Sequence, residues 1–378
     1  MRRRLRIVVL VACVALAAAA GALATSSPPA VDARAYLLVS GVDGSTLAAR
    51  APDEPRAIAS ITKLMTVLVA LEHSALDEVV AVPYVATTVG ESGIAALPGE
   101  PLTVAQLAVA ALVPSANDAA TALAWHAGGG SVPRFVAWMN GKARKLGMTG
   151  TRFRNPHGLD QRGHVSTARD TVILLRAALQ NRFIRIWSKR ATALIPGRPK
   201  LTSTDRLIGR MPELVGAKTG QTSDAGWSQV AAVRADGISA YGVVLGAPSR
   251  DGRDRDLEAL LRFGLTRYRR ALLVDPARTY ATVPTGWGLP DLRLVSPRAI
   301  ARPAPVTRPL VERVVAPLVA TLPVRAGQRL GEVRVYDGSK LVARAPLVSD
   351  RSLSRPGLVG RLRFYGGRTM HHLTGFVT

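Results

Sequence analysis

Apolar residues follow two different periods along the chain. After Ala33, the stretch "RAYLLVSGVDGSTLAAR" carries apolar runs on either side of "GVDGS", which is typical of two strands joined by a turn. The next stretch, "ASITKLMTVLVALEH", places apolar residues at helical spacing and predicts a helix with Ser60 in its first turn. Alternation returns in "VGAKTGQTSDAGWSQVAAVRA" and "ISAYGVVLGA", which indicates two neighbouring strands.

Helical periodicity dominates the region between these strands. The pattern predicts two apolar helices in "LTVAQLAVAALVPSANDAATALAWHAGGG", interrupted at Pro114, because proline cannot continue the hydrogen-bond ladder and restricts the residue before it. It predicts further helices in "SVPRFVAWMNGKARKLGM", "STARDTVILLRAALQ" and "DLEALLRFGLTRY". Strands at both ends with helices between them predict an α/β (α+β) unit whose sheet pairs the first strands with the last.

Changes in composition divide the chain into four segments. Residues 1–24 have an arginine-rich start, an apolar run and a terminal "ALA", the layout of a signal peptide, although the run also nears the ~20 residues of an uncleaved anchor. Residues 25–33 contain "TSSPPA" and predict a flexible linker. Residues 34–273 form the α/β unit. Residues 274–378 hold prolines, short β-rich runs and turns such as "YDGSK", and predict a small all-β domain.

The chain is strongly basic. Its 378 residues include 50 Lys and Arg against 26 Asp and Glu, a formal net charge of +24. This excess fits nucleic acid, an anionic membrane surface or an anionic polymer. Because the sequence has no nucleic-acid-binding motif and no Cys/His finger spacing, we expect no nucleic-acid partner. Cys13 is the one cysteine and lies in the N-terminal apolar run, so we expect no disulfide in the exported part.

A serine and a lysine lie three residues apart at the start of the first predicted helix. Side chains at this spacing share a helix face, about 5–6 Å apart at Cβ, so Ser60 and Lys63 can meet. A serine nucleophile needs a partner that takes its proton. Alone, the pair is weak evidence, because the same residue types form the cap and the exposed charge of many helix starts. No serine lies in a G-x-S-x-G motif.

Two later motifs complete a known set. "SAN" (residues 115–117) follows the proline break, and "KTG" (residues 218–220) lies on a predicted strand. The order S-x-x-K, S-x-N, K-T-G marks penicillin-binding proteins and class A β-lactamases. With "PGEPLTVAQL", "TRFRNPHGLD" and "VVLGA", the chain resembles the low-molecular-mass D-alanyl-D-alanine carboxypeptidases, serine peptidases of family S11 that trim cell-wall pentapeptides, over roughly residues 34–268. The tail, with "LPVRAGQRLGEV", resembles that family's C-terminal domain.

The resemblance implies a β-lactamase/transpeptidase-like catalytic domain, an antiparallel sheet with a helical subdomain. It makes Ser60 the acylated nucleophile and Lys63 its base. A lysine is a base only when neutral, so burial and a second cation, Lys218, must depress its pKa. Ser115 would bridge the two lysines and pass a proton to the departing D-alanine.

The resemblance also implies the substrate-binding residues. Asn117 would hydrogen-bond the peptide backbone of the substrate, and Lys218 with Thr219 would hold its terminal carboxylate. Arg253, in "LGAPSRDGRD", matches more loosely an arginine that the family places near that carboxylate.

Backbone groups on the same strand have implied roles too. Gly220 would leave room for substrate to lie against the strand. The backbone N–H groups of Ser60 and Gln221 would form the oxyanion hole.

Each of these residues also has an ordinary structural interpretation. Ser115 could cap the helix after Pro114, Asn117 could satisfy local backbone groups, and Lys218 could be a strand-edge charge. Arg253 could be one of many solvated arginines.

The sequence predicts no cofactor, and it departs from the family pattern in one stretch near the site. We expect no metal, because neither His157 with His164 nor the adjacent pair at 371–372 forms a compact ligand set, and we expect no other cofactor. Before "KTG" the family usually has an asparagine in an "NxLL"-like stretch, where this chain has "STDRLIG".

The expected function is removal of the terminal D-alanine from peptidoglycan stem pentapeptides through a Ser60 acyl-enzyme, with β-lactams acylating the same serine. A D,D-endopeptidase, or a wall-binding or β-lactam-sensing module without turnover, remains an alternative. β-Lactamase activity is disfavoured, because no E-x-x-L-N motif lies between "SAN" and "KTG". We expect the protein to be exported to the outer face of the cytoplasmic membrane or the cell wall, with a membrane surface or an anionic wall polymer as a further partner.

Overall fold

The fold is that of a computed structural model, which describes residues 7–10, 27–362 and 364. It divides into two compact units, one spanning Ser26–Arg267 and the other starting at Tyr268 and including the strand β1 (Ile7–Leu10). The second unit therefore begins ahead of the predicted boundary at residue 274. The physical reason is that the strand starting at Tyr268 pairs with a strand of the second unit.

The first unit contains nine strands and eight α-helices among the described residues. The strands are β2 (Ala35–Ser40), β3 (Thr46–Arg50), β4 (Val79–Ala81), β5 (Pro101–Thr103), β6 (Thr192–Ala193), β7 (Leu201–Thr202), β8 (Leu214–Thr222), β9 (Gly226–Ala235) and β10 (Ile238–Ala247). The helices are α1 (Lys63–His73), α2 (Tyr84–Thr87), α3 (Val104–Leu112), α4 (Asn117–Ala127), α5 (Val132–Leu146), α6 (Ala168–Ala178), α7 (Arg182–Trp187) and α8 (Arg250–Thr266), with a 3₁₀ turn at Ala59–Thr62 before α1.

A five-stranded antiparallel sheet organises this unit. Its order is β3-β2-β10-β9-β8, so the first strands pair with the last, as predicted; Tyr36 of β2 lies opposite Val244 of β10. Alternate residues of the strands enter different cores, since successive side chains point to opposite faces. Leu37 and Val243 pack with the helices α1, α3, α4 and α6, while Leu38 and Val244 pack with α8.

Local sequence sets the helix boundaries around the predicted break. The capping box of Thr103 and Gln106 starts α3, and this helix ends at Leu112, before Pro114. The next helix, α4, begins at Asn117. The break predicted from the proline is therefore confirmed, and it places "SAN" at a helix start.

Part of the predicted linker packs on the first unit. Val31 and Ala33 are buried in the core on the α8 side of the sheet. The backbone N–H of Asp32 donates to Asp256 Oδ2 at 2.8 Å. The flexible-linker prediction is therefore wrong for these residues, because the chain is already held by apolar contacts and a hydrogen bond.

The second unit is built of strands, as predicted for the C-terminal region. In addition to β1 it contains β11 (Tyr268–Val274), β12 (Thr279–Val283), β13 (Leu292–Val295), β14 (Ile300–Pro305), β15 (Leu310–Pro317), β16 (Arg329–Asp337) and β17 (Lys340–Ser349). Six of them form a sheet in the order β1-β15-β16-β17-β13-β12, and β11 pairs with β14. Val333, Val335, Ala343, Ala345 and Leu347 lie in its core.

The predicted signal peptide or anchor lies largely outside the described residues. Of residues 1–24, only Ile7–Leu10 is described, as the strand that pairs antiparallel with β15 and places Val9 opposite Val315. Among the described residues, no helix combines the length and the apolar character that crossing a bilayer requires.

Candidate active site

Ser60 lies in a tightly packed turn rather than in an α-helix. It belongs to the 3₁₀ turn Ala59–Thr62, which leads directly into α1, so the predicted α-helical first turn is corrected to a 3₁₀ turn. Ala59 has a φ of +48°. A Cβ on Gly158 would lie 2.0 Å from the Ala59 carbonyl oxygen, so the backbone of one loop touches the backbone of the other. The nucleophile candidate is thus held by main-chain packing.

Gly220 packs against the same turn. A Cβ at this position would lie 2.7 Å from the carbonyl oxygen of Ile58 and 3.2 Å from the backbone nitrogen of Ser60. The space that a Cβ would take is occupied by the backbone of the turn, and the role of this glycine in leaving room for substrate along the strand stays a prediction. The absence of a side chain therefore lets strand β8 approach Ser60.

Lys63 is fully buried and faces three oxygen atoms. Its Nζ lies 2.6 Å from Ser60 Oγ, 2.7 Å from Asn117 Oδ1 and 2.8 Å from the carbonyl oxygen of His157. Burial, and then the charge of Lys218, hold the Lys63 pKa well below its ordinary 10.5. A neutral amine has two N–H donors and one lone pair. Donation to Asn117 and His157 therefore leaves the lone pair to accept the Ser60 hydroxyl proton.

Ser115 and Lys218 form a second serine–lysine pair. Lys218 is buried, and its Nζ donates to Ser115 Oγ at 2.8 Å and to the carbonyl oxygen of Thr219 at 3.1 Å. Burial lowers the Lys218 pKa to about 7, opposed by the charge of Asp205. Ser115 itself has a φ of +69°. Ser115 is predicted to bridge the two lysines. In the structure its hydroxyl is hydrogen-bonded to Lys218.

Asn117 joins the site to a neighbouring loop. Its Oδ1 accepts from Lys63, and its Nδ2 donates to the carbonyl oxygen of Gly90 at 3.0 Å. Its backbone N–H donates to the carbonyl oxygen of Ser92 at 2.6 Å. Both ends of the side chain are thus engaged, so the amide is oriented before any ligand arrives.

Arg253 is buried in a polar and aromatic setting. Its Nε and Nη2 donate to Asp254 Oδ1 at 2.9 and 2.5 Å, and its guanidinium carbon lies 5.7 Å from the centre of the Trp227 ring. Arg253 and Asp254 are each only 2 % exposed at the side chain, so this is a buried ion pair. The interpretation of Arg253 as a solvated arginine is therefore wrong.

The poorly matched "STDRLIG" stretch reaches the site, which sequence reasoning missed. Thr204 Oγ1 lies 2.6 Å from Thr219 Oγ1, and the carbonyl oxygen of Thr204 accepts from Arg250 Nη2 at 3.1 Å. Asp205 is buried and accepts from Gln229 Nε2 at 2.8 Å; burial raises its pKa. The one feature of the sequence that could have indicated this contact is the position of the stretch shortly before the "KTG" strand.

The histidines next to the nucleophile are neutral and engaged with protein groups. His164 Nδ1 accepts from the backbone N–H of Arg154 at 3.2 Å, so its Nε2 carries the proton and donates to Thr62 Oγ1, 2.8 Å away. Burial lowers the pKa of His164 to about 4 and that of His157 to about 3. Within the described part of the chain, no group of three or more His, Cys, Asp or Glu side chains could hold a metal. The pair at 371–372 lies outside it.

These residues meet at one open cleft of about 200 Å³. Seven of the predicted site residues line it: Ser60, Ser115, Asn117, Thr219, Gly220, Gln221 and Arg253. The two lysines lie beneath its surface, bonded to the serines. The cleft has five further lining residues, which the sequence did not single out: Glu91, Ser92, Thr204, Trp227 and Arg250.

The site combines a serine hydrogen-bonded to a buried lysine with an antiparallel sheet that packs on a helical subdomain. This combination defines the penicillin-binding class of serine enzymes. The chain belongs to the D-alanyl-D-alanine carboxypeptidase family (Peptidase S11), whose family model matches residues 22–249. It is therefore a serine-type hydrolase with a cell-wall function.

Relatives and solved structures extend this similarity over most of the chain. It is 30% identical to the D-alanyl-D-alanine carboxypeptidase DacD of Salmonella typhimurium, with 89% of this chain and 90% of the relative covered. It is also 30% identical to DacC of Escherichia coli, with 89% and 88% covered. The structure of penicillin-binding protein 5 from Haemophilus influenzae superposes with a TM-score of 0.64 at 26% identity, covering 87% of this chain and 100% of that chain. The Streptomyces K15 DD-transpeptidase gives a TM-score of 0.60 at 28% identity, covering 63% and 99%.

Proposed function

We propose that this enzyme removes the terminal D-alanine from peptidoglycan stem pentapeptides through an acyl-enzyme on Ser60, and that β-lactams acylate the same serine. The observation that carries the proposal is the 2.6 Å contact between Ser60 Oγ and the buried Lys63 Nζ. The other hydrogen bonds of that amine go to Asn117 and His157, which directs its lone pair at the hydroxyl.

Acylation follows from this arrangement. Lys63 takes the Ser60 proton as Oγ attacks the carbonyl carbon of the penultimate D-alanine. The backbone N–H groups of Ser60 and Gln221 stabilise the oxyanion. Ser115, hydrogen-bonded to Lys218, delivers a proton to the nitrogen of the departing D-alanine and receives in return the proton that Lys63 took from Ser60. Water then cleaves the acyl-enzyme ester and restores the free hydroxyl.

The terminal carboxylate of the substrate binds at the sheet side of the cleft. Lys218, Thr219 and Arg253 supply the donors there. Asp254 and Trp227 fix the guanidinium of Arg253, so its direction is set before substrate arrives. Asn117 contacts the peptide backbone that precedes the scissile bond.

Three measurements test the proposal. Mass spectrometry after exposure to penicillin is expected to find one adduct, on Ser60; an adduct elsewhere, or none, contradicts the mechanism. Release of D-alanine from diacetyl-Lys-D-Ala-D-Ala is expected in the native protein and lost in Ser60→Ala. An acylated Ser60 without release of D-alanine would instead support a β-lactam sensor. Cleavage of cross-linked dimers without release of D-alanine would support an endopeptidase.

We also propose that the exported enzyme contacts an anionic polymer of the cell wall through its second unit. Arg313 on β15, Arg334 on β16 and Arg344 on β17 lie directly opposite one another, forming a row across three strands. Like charges directly opposite each other are destabilising in a sheet. Glu332 offsets part of this repulsion, since it accepts from Arg334 and Arg344 at 2.5 and 2.6 Å.

The arginine row fits an anionic polymer, because guanidinium groups bind phosphate and carboxylate oxygens. The full-length protein is expected to bind anionic wall polymer in low salt and release it in high salt. Replacing Arg313, Arg334 and Arg344 by Gln should reduce this binding. Unchanged binding by the triple variant contradicts the proposal, and binding only to anionic vesicles would favour a membrane surface.

A further inference from the structure

The cleft carries opposite charges on its two sides. On the sheet side, Arg250 and Arg253 line it, and Arg250 is bonded to the Thr204 carbonyl next to Thr219. On the helical side, the lining includes one carboxylate, Glu91, whose side chain is exposed. The cleft therefore suits a substrate segment with an anionic end and a cationic group some distance away.

Glu91 is held in place by the start of α4. Asn117 donates to the carbonyl oxygens of the two residues that flank Glu91. Its Nδ2 donates to Gly90 at 3.0 Å, and its backbone N–H donates to Ser92 at 2.6 Å. Asp118 fixes the next part of the loop, because its Oδ2 accepts from the backbone N–H of Ile94 at 2.9 Å. The position of Glu91 beside the substrate-binding residue Asn117 is thus set by the helix that Asn117 begins.

The residue type at this position opposes two local requirements. Glu91 has a φ of +64°, in the left-handed region where glycine and asparagine are favoured. Its negative charge also favours the protonated form of Lys63, and so raises the pKa of an amine that must be neutral to act as a base. A glutamate at this position therefore strains the backbone and disfavours the neutral form of Lys63. We take this as an indication that its carboxylate binds a cationic group of a ligand.

The direction of the bound substrate indicates which group Glu91 meets. With the terminal carboxylate at Thr219 and Arg253 and the scissile carbonyl at Ser60, the residue before the two D-alanines lies beside Asn117. Its side chain is then next to the loop that carries Glu91. This step rests on the proposed function.

We infer that Glu91 is a specificity-determining residue that selects stem peptides whose residue before D-Ala-D-Ala carries a free side-chain ammonium. Peptides in which this amine is acylated, as in a cross-link, lack the cation. The bound ammonium also offsets the field of Glu91 at Lys63, and so helps the lysine to stay neutral during acylation. The enzyme would accordingly act on free stems before they are joined.

Matched peptides test this inference. Release of D-alanine is measured for Nα-acetyl-Lys-D-Ala-D-Ala, with a free ε-ammonium, and for the diacetyl peptide. The native enzyme is expected to give a kcat/KM about fivefold higher for the free amine, the range of a partly exposed ion pair. Glu91→Gln is expected to bring the ratio close to one. High salt should weaken the preference of the native enzyme.

A control variant and a charge reversal sharpen the result. Glu78→Gln removes an exposed carboxylate that is bonded to His126 and does not line the cleft, and it should keep the native ratio. Glu91→Lys is expected to favour an ε-succinylated peptide over the free amine.

Several outcomes overturn the inference and spare the proposed function. Equal release from both peptides by the native enzyme does so, as does a Glu91→Gln variant that keeps the native ratio. A Glu91→Gln variant that penicillin acylates normally, but that accumulates acyl-enzyme with both peptides, would place Glu91 in deacylation instead. If the native enzyme releases no D-alanine from either peptide, the proposed function itself fails.

Discussion

Lys63 Nζ and Ser60 Oγ are 2.6 Å apart because the serine lies in a 3₁₀ turn and the lysine begins an α-helix. In a 3₁₀ turn, side chains three residues apart eclipse each other. The lysine then enters a helix buried along most of its length, which removes its ammonium from water. One short segment thus supplies both the contact and the burial that a lysine base requires.

Replacing Lys63 by Ala should nearly abolish acylation and preserve the fold. General-base help is typically worth ~10²–10⁴ in rate, and the loss of a buried amine removes a group that is costly to bury. The rate of penicillin acylation, followed by mass spectrometry, and the thermal midpoint check the two parts. An acylation rate within threefold or so of native would contradict the role of Lys63.

Gly220→Ala should misplace the nucleophile. The new Cβ would lie 2.7 Å from the Ile58 carbonyl oxygen, so strand and turn must separate. A displacement of about 1 Å at a reacting group can cost ~10²-fold in rate. We expect penicillin acylation of Ser60 to fall by that order. Gly357→Ala is the matched control, because a Cβ there meets no atom within 4 Å and should leave the rate unchanged.

The pH dependence of kcat/KM should fall on its alkaline side near the pKa of Lys218, about 7. Below this value the lysine is a cation and attracts the substrate carboxylate; above it the charge is lost. Lys63 must be neutral, so its depressed pKa sets the acid limb. A profile of kcat/KM for D-alanine release measures both limbs. A rate that is flat from pH 6 to 10 would rule out the carboxylate role of Lys218.

The same shift has a consequence for stability. The Lys218 pKa is lowered on folding from 10.5 to about 7, so between these values the unfolded chain binds more protons than the folded one. The contribution of Lys218 to the free energy of unfolding therefore rises with pH across this window. Urea unfolding of native and Lys218→Met proteins should show that the native one gains relative to the variant between pH 7 and 10. A pH-independent difference would contradict the shift.

The buried ion pair of Arg253 and Asp254 should be sensitive to loss of one partner. Asp254→Ala leaves a guanidinium that is 2 % exposed without its carboxylate, and is expected to lower the free energy of unfolding by about 3–5 kcal/mol. Arg253→Met combined with Asp254→Ala removes both charges and should recover most of that loss. Urea denaturation of the single and double variants measures the difference. Equal stability of the two would argue against a buried pair.

Sequence patterns predicted the sheet, the helix break and the residues that meet in the cleft, because those features depend on local period and on ordered motifs. Ser60, Lys63, Ser115 and Lys218 occur in the three motifs; the structure bonds Ser60 to Lys63 and Ser115 to Lys218, whereas the resemblance implied that Ser115 bridges both lysines. The sequence did not predict the close approach of Gly220 to the turn at Ile58 and Ser60, since these residues lie far from it along the chain.

Other parts of the site depend on long-range contacts that no local pattern records. Asp205 lies in a stretch without helical or strand period, and its contacts with the site are a hydrogen bond to Gln229 on β9 and the effect of its charge on Lys218. Glu91 lines the cleft because Asn117 forms hydrogen bonds to the loop residues on either side of it. Such contacts become visible only once the chain is folded.

Because Ser115 has a φ of +69°, the residue that best serves catalysis at position 115 differs from the residue that would best serve thermal stability. Any residue with a side chain is strained in that backbone region, and glycine adopts it without strain. Glycine would relieve the strain and delete the hydroxyl bonded to Lys218. A library of this chain selected for heat resistance alone is therefore expected to enrich glycine at 115 and to lose turnover as it gains stability.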